Sequence, residues 1–336
     1  MSETRTPAWL RMSPVDEYDH VRAARLRHLV EVRQPFVLVS QIQRSGGTLL
    51  SQLFDGHPQC HAHPEEVKIG HPRKSEWPPL DPTRPADCFG VLYEPDVAVD
   101  LVNGYVKGQR ADDVFPFVFS PRLQNEIFDA VVASWRVEAE RDVLDAYFTS
   151  YFNAWLDNHN LYTGPKRVVT GFTPRLAMRQ ANVESFFSAY PDGFLVSIVR
   201  DPRSWFASAA GHSEKYAELD RALDLWRRSA EAALAAAARY PERALVLTYD
   251  RLVLETEATM RRLADRIGIE FDPVLLMPTF NGRPIRANSH HEVAEFGVLS
   301  DRTSMYRSLL EPKQIDAIER SAGDLYERAE TAAART

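Results

Sequence analysis

Short apolar runs rich in β-branched residues alternate with stretches of helical periodicity over most of the chain. FVLVSQI at 36–42 is short and uniformly apolar, and it reads as a buried parallel strand. After a glycine turn, Leu49, Leu50, Leu53 and Phe54 fall on one face of a helix that Gly56, His57 and Pro58 close. The cycle recurs with RVVTGFT (167–173) before a helix around 176–189, and with FLVSIVR (194–200) before DPRSWFASAAG. ALVLTYD (244–250) precedes TEATMRRLADRIG, which Gly268 ends, and a long amphipathic helix is predicted over 220–239. Strands alternating with helices predict an α/β, three-layer P-loop-type fold with a central parallel sheet flanked by helices.

One stretch interrupts the alternation. Pro72, Pro78, Pro79, Pro82 and Pro85 mark an irregular loop over 71–87, and 91–161 is mostly helical in pattern and rich in aromatics, VLDAYFTSYFNAWLDNHNLY (143–162) most clearly. The expected organisation is a helical N-terminal extension (1–34) and one α/β domain (35–336) with a helical, aromatic-rich insertion at about 73–161. The aromatics at helical spacing are either core or the wall of a cleft.

Composition narrows the function classes. Of 336 residues, 44% are hydrophobic and 26% charged, the balance of a globular protein, and the net charge of -7 argues against a nucleic-acid partner. Cys60 and Cys88 form neither a CxxC pair nor a disulfide framework. The first twenty residues carry charges throughout, unlike a signal peptide, and no apolar run has the length of a membrane span, so a cytoplasmic protein is expected.

Two segments carry chemistry. In FVLVSQIQRSGGTLLSQLF, the turn Arg44, Ser45, Gly46, Gly47, Thr48 lies between a buried strand and a helix N-terminus, where backbone N–H groups and the helix dipole attract an anion. Arg44 and the hydroxyls of Ser45 and Thr48 add charge and donors. The competing reading is a tight turn whose glycines supply only backbone freedom. The turn lacks the Gly-Lys pair of GxxxxGK[ST], which disfavours magnesium-dependent phosphoryl transfer. In VSIVRDPRSWFASAAGH, Arg200 ends a strand and Ser208 lies in the next helix, a pair able to clamp a second, separate phosphate. The alternative there is a salt bridge from Arg200 or Arg203 to Asp201.

RSGGTLL after the first strand, RDPRSWFAS after a later one and LTYDRLVLETEATMRRLADRIGI together resemble the sulfotransferases that use 3'-phosphoadenosine 5'-phosphosulfate (PAPS), in particular the bacterial and tyrosylprotein-type branch. The resemblance runs from about Phe36 to the C-terminus and is weak across the insertion. It implies that Arg44, Ser45, Gly46, Gly47, Thr48 and Leu49 hold the 5'-phosphosulfate and that Arg200 and Ser208 hold the 3'-phosphate. Tyr249 would touch the adenine, unless it is simply a sheet-end tyrosine. Ser289, with Arg283 and Arg286 nearby, would fall in a loop that closes over the nucleotide. PAPS would be the co-substrate, adenosine 3',5'-bisphosphate (PAP) the product, and no metal would be required. The acceptor would be a hydroxyl-bearing small molecule, lipid or glycan; a homodimer is left open.

Such a transfer needs a general base for the attacking hydroxyl and cations for the developing charge. In CHAHPEEVKIG the resemblance implies Glu65 as the base, with Arg44 as a catalytic cation; Glu66, His61 and His63 are alternatives. The plain reading of Glu65 and Glu66 is a solvated pair opening a helix after Pro64. His57, His61, His63 and His71 follow no known metal-ligand spacing and sit in what reads as a proline-broken loop. The chain departs from the resemblance at Phe172, where a lysine is usual and for which Arg175 is the nearest substitute, at Asp301 and Arg302, and at His212. Other readings of the motifs are a P-loop small-molecule kinase and a nucleotide-binding module without turnover.

Overall fold

A computed structural model describes residues 13–67, 69, 76–93, 105–106, 114–286 and 295–336. Five strands, β1 (Phe36–Val39), β2 (Cys60–Glu66), β3 (Val168–Phe172), β4 (Phe194–Val199) and β5 (Ala244–Thr248), form one parallel sheet in the order β2-β3-β1-β4-β5. The helices that matter below are α1 (Pro14–Arg27), α2 (Gly47–Phe54), α3 (Pro121–Ser134), α4 (Glu140–Ala154), α5 (Gln180–Ala189), α6 (Pro202–Ala210), α7 (Leu219–Arg239), α8 (Thr256–Ile267) and α9 (Pro312–Ala333).

The predicted α/β architecture is the observed one, and the apolar runs explain it. Strand side chains alternate between faces, so Val37 and Val39 of β1 pack with Leu50, Leu53 and Phe54 of α2 and with Met260, Leu263 and Ile267 of α8. Phe36 and Leu38 face the other side and meet the insertion and α5. There Phe36 stands edge-on to Phe148, Phe186 and Tyr190 at ring separations of 5.0, 6.0 and 5.6 Å. Under the β4–β5 side, Val199 and Val246 pack with Trp205, Trp226 and Tyr326 from α6, α7 and α9.

Several expectations shift. The first strand ends at Val39, three residues early. Beyond it the chain leaves the sheet, its backbone held by Ser40 N–H to Val196 O (3.0 Å) and Arg175 N–H to Gln41 O (2.9 Å). The long insertion helix begins at Glu140 and stops at Ala154. Asp157 ends it by accepting from the Trp155 indole (2.9 Å) and the Val118 N–H (2.8 Å), a local side-chain bond competing with the helix. Tyr147, Tyr151, Trp155, Phe117 and Phe119 are buried in the core beside the sheet, which decides between core and cleft for these aromatics.

A carboxyl group is buried in that core. Asp145 on α4 accepts from Tyr190 Oη at 2.8 Å and from Arg141 Nε at 3.4 Å; Arg141 also pairs with Asp192. Burial raises the Asp145 carboxyl from 3.8 to about 7, while Tyr190, Arg141 and Arg33 pull it down. A carboxyl whose folded pKa is raised contributes stability that is complete below its ordinary pKa and is lost as pH rises through the folded value. Thermal stability should therefore decline from about pH 4 to about pH 8 through this group. Asp145→Asn, which still accepts from Tyr190, should flatten that decline when melting is followed against pH.

Among the described residues, no helix is long and apolar enough to cross a membrane.

Candidate active site

From β1 the chain runs through α2 to β2 at one edge of the sheet, whereas β3 leads across β1 to β4 on the other side. Open α/β sheets bind ligands at the carboxyl ends of the strands where such a switch occurs. A cavity of about 690 Å³ opens there, lined in part by Arg44, Gly46, Gly47, Thr48, Leu49, Arg200, Ser208 and Tyr249. Eight of the residues proposed from sequence thus meet in one place.

The glycine turn is built by two different constraints. Arg44 (φ 67°) and Gly46 (φ 102°) take left-handed backbone. At Gly46 a Cβ would also lie 2.7 Å from Cδ2 of Tyr249. Gly47 has no such φ, but a Cβ there would collide with the Gln41 amide and the Phe172 ring. One glycine answers mainly to backbone conformation and the other to packing, so the simple turn reading accounts for part of the pair only. The first helical bond of α2 is Leu50 N–H to Gly46 O at 3.0 Å, which leaves the earlier N–H groups without intrahelical acceptors beside the cavity. Ser45 is buried, and its hydroxyl has no hydrogen-bond partner among the described residues. An orphaned donor and open N–H groups in one turn suit an anionic group.

The second motif closes onto the first. Asp201 caps α6, accepting from the Arg203 and Ser204 N–H groups, and takes the Arg203 guanidinium at 2.5 Å. The salt bridge expected as an alternative therefore exists, made by Arg203, while Arg200 lines the cavity. Arg200 donates to the Arg44 carbonyl at 3.0 Å and stacks 4.4 Å over the Tyr249 ring. Arg44 Nε donates to Ser208 Oγ at 3.2 Å. The two motifs, expected to bind separate phosphates, are one hydrogen-bonded unit. Burial, and then the Arg200 charge, lower the Arg44 pKa, as two cations converging in a recess require. Tyr249 opens the short helix Tyr249–Leu254 directly after β5 and walls the cavity between Gly46 and Arg200.

The segment carrying the carboxylates is a strand, which corrects both the loop and the helix-opening readings. β2 pairs with β3 as Cys60↔Val168, His61↔Val169 and Ala62↔Thr170, then shifts register before Glu66↔Phe172. Pro64, which has no N–H to give the ladder, lies inside the shifted stretch. Glu66 and Phe172 line the cavity together, and Glu65 immediately precedes Glu66 on the strand. His61 packs on Phe152, its pKa lowered to about 3 by burial, and His63 stacks on Tyr151 at 4.3 Å. Neither lines the cavity. Among the described residues, no three His, Cys, Asp or Glu side chains are grouped to hold a metal ion.

His212 lines the cavity and Arg175 does not. Ser289 lies outside the described residues; of its neighbours, Arg283 is exposed and Arg286 stacks on Phe296 at 4.4 Å. Sequence reasoning missed Gln52, Phe206 and an apolar wall of Leu299, Met305, Leu309 and Leu310. Gln52 is one turn beyond Thr48 on α2, a spacing that could have flagged it; the wall comes from distant chain and leaves no local signal. No described residue of the insertion lines the cavity.

A family model described as Sulfotransferase family matches residues 110–273. Solved structures of similar shape include the sulfotransferase domain of the Synechococcus PCC 7002 olefin synthase, at 17% identity over 90% of this chain and 95% of that one, with a TM-score of 0.54. The sulfotransferase domain from the curacin biosynthetic pathway aligns at 15% identity over 86% and 98% of the two chains, TM-score 0.46. A sulfotransferase from Alicyclobacillus acidocaldarius aligns at 13% over 90% and 97%, TM-score 0.44. The first of these shows a shared fold. No curated protein matches the chain.

Proposed function

We propose that this chain is a sulfotransferase, as the family model matching residues 110–273 supports, and that it transfers a sulfuryl group from PAPS to a hydroxyl of a small-molecule, lipid or glycan acceptor. The observation that carries the reading is the joining of Arg44, Ser208 and Arg200 beside the glycine turn. Two arginines and a helix N-terminus facing one cavity suit a ligand with two anionic groups, such as a nucleoside bisphosphate, better than a single phosphate.

When bound, the donor supplies an activated sulfuryl group. The turn from Arg44 to Leu49 would hold the 5'-phosphosulfate, with Ser45 as an additional donor, and Arg200 with Ser208 the 3'-phosphate. Tyr249 would support Arg200 and border the nucleotide. A carboxylate at the end of β2 would take the proton of the attacking hydroxyl: Glu65 by the family resemblance, Glu66 by its place in the cavity wall. With Phe172 in that wall where a lysine is usual, Arg44 is the cation nearest to hand for the charge developing on the leaving phosphate.

The test is a comparison of ligands by thermal shift. A ligand at one hundred times its Kd that binds only the folded chain stabilises it by about 2.7 kcal/mol. PAP should raise the melting temperature with no added metal, and ATP with magnesium should not. The reverse ranking would favour a kinase. PAP binding without transfer from PAPS to any hydroxyl acceptor would leave a nucleotide-binding module.

A further inference from the structure

The glycine turn and Arg200 lie just beyond the ends of β1 and β4, where ladder bonds stop, so their backbone groups need partners from elsewhere. Buried side chains supply them, two of these on a helix that neither motif includes. Trp226 Nε1 donates to the Arg200 carbonyl at 3.0 Å, and Ser229 Oγ accepts the Ile42 N–H at 3.0 Å. Both lie on α7, three residues apart and therefore on one face. On α6, the helix that carries Ser208, Trp205 Nε1 donates to the Gln43 carbonyl at 2.8 Å. Tyr216 Oη adds a bond to the Gln43 side chain at 2.9 Å.

We propose that α7 sets the spacing between the two anion-binding arginines, with Trp226 and Ser229 as positioning residues. The proposal rests on the reading of the cavity as a nucleoside bisphosphate site. Neither residue lines the cavity; Trp226 acts through the backbone of Arg200 and Ser229 through that of Ile42, two residues before Arg44. The Arg44 and Arg200 charges repel one another, so without ligand their approach is held by the Arg200 bond to the Arg44 carbonyl and by the surrounding scaffold. A single helix bonded to both strand ends supplies that constraint, because Trp226 and Ser229 cannot move apart without unwinding a turn. Trp226 is 1% exposed and Ser229 6% exposed, so both side chains make these bonds from inside the core.

Trp226→Phe keeps an aromatic ring and removes the N–H. Affinities for PAP and for adenosine 5'-monophosphate, which lacks the 3'-phosphate, are measured by calorimetry on wild type and variant, with melting temperature alongside. We expect the preference for PAP over the monophosphate to fall about 10-fold, the effect of roughly 1.4 kcal/mol, with monophosphate affinity within about 2-fold of wild type. Ser229→Ala, acting on the glycine turn, should instead weaken both nucleotides several-fold and leave their ratio unchanged. A tryptophan that only stabilises the core would lower the melting temperature and leave the ratio intact, and that result overturns the proposal. If Trp226→Phe does not fold, β-(3-benzothienyl)alanine at position 226 keeps the two-ring shape without the N–H, and the same ratio is read. Wild-type chain that binds neither nucleotide would overturn the nucleotide reading and the proposal with it, whereas wild-type binding with an unchanged ratio would sink the proposal alone.

Discussion

Arg200→Ala should weaken PAP binding at least about 100-fold while leaving the melting temperature of the free protein equal to or above that of wild type. The loss follows from removing a half-buried guanidinium that, in the proposed reading, pairs with the 3'-phosphate; truncating one side of such a pair costs on the order of 2–5 kcal/mol. The retained stability follows from the other side of the same arrangement. Burial, and then the Arg200 charge, lower the Arg44 pKa, so the free protein bears a like-charge repulsion whose relief offsets the lost bond to the Arg44 carbonyl and the lost stack on Tyr249. Binding sites often hold such strain against stability. Arg200→Lys, which keeps the charge but not the planar fork, should lose about 10-fold. Calorimetric titration with PAP and a melting scan of the free protein check both halves. Wild-type affinity in Arg200→Ala would remove the residue from the ligand site, and a large drop in melting temperature would make its role structural.

The second large effect concerns the carboxylates at the end of β2. Glu66→Gln is isosteric, removes the proton acceptor and leaves the arginines untouched. It should lower kcat by about 10²–10⁴-fold, the usual contribution of a positioned general base, with PAP affinity near wild type. Glu65→Gln, measured in the same transfer assay, should cost less than about 3-fold if Glu66 is the base. A large loss in Glu65→Gln with near-normal turnover in Glu66→Gln would restore the assignment made from motif spacing. Equal, small losses in both would move the base off β2 altogether.

These two experiments mark the line between local and distant information. That Arg44 lies between a strand and a helix, and that Arg200 follows another strand, was readable from a few neighbouring residues: an apolar run, a glycine, a proline at the first helical turn. Which carboxylate of β2 lines the cavity was not readable in this way. Side chains on a strand alternate, so a one-residue shift exchanges the faces of Glu65 and Glu66. β2 shifts its pairing between Ala62 and Glu66, around a proline that gives the ladder no N–H. The same stretch misled on histidines: His61 and His63 read as loop residues, yet they are buried on a strand against Phe152 and Tyr151.

The insertion shows the limit from another side. Aromatics at helical spacing fit a core and a ligand cleft equally well, and only packing against Phe36 and its neighbours placed Tyr147, Tyr151 and Trp155 in the core. The cavity wall came instead from Phe206, inside the second motif, and from Leu299, Met305, Leu309 and Leu310, on segments whose sequence carries no distinguishing pattern.

By itself, then, the sequence determined the alternation of strands and helices, the glycine turn and the two arginine motifs, because periodicity, turn chemistry and helix capping act over fewer than about ten residues. Only the tertiary structure decided that Arg44 and Arg200 share one cavity and that Glu66 lines it. Those facts depend on strand register and on contacts between residues more than a hundred positions apart, which local pattern does not encode.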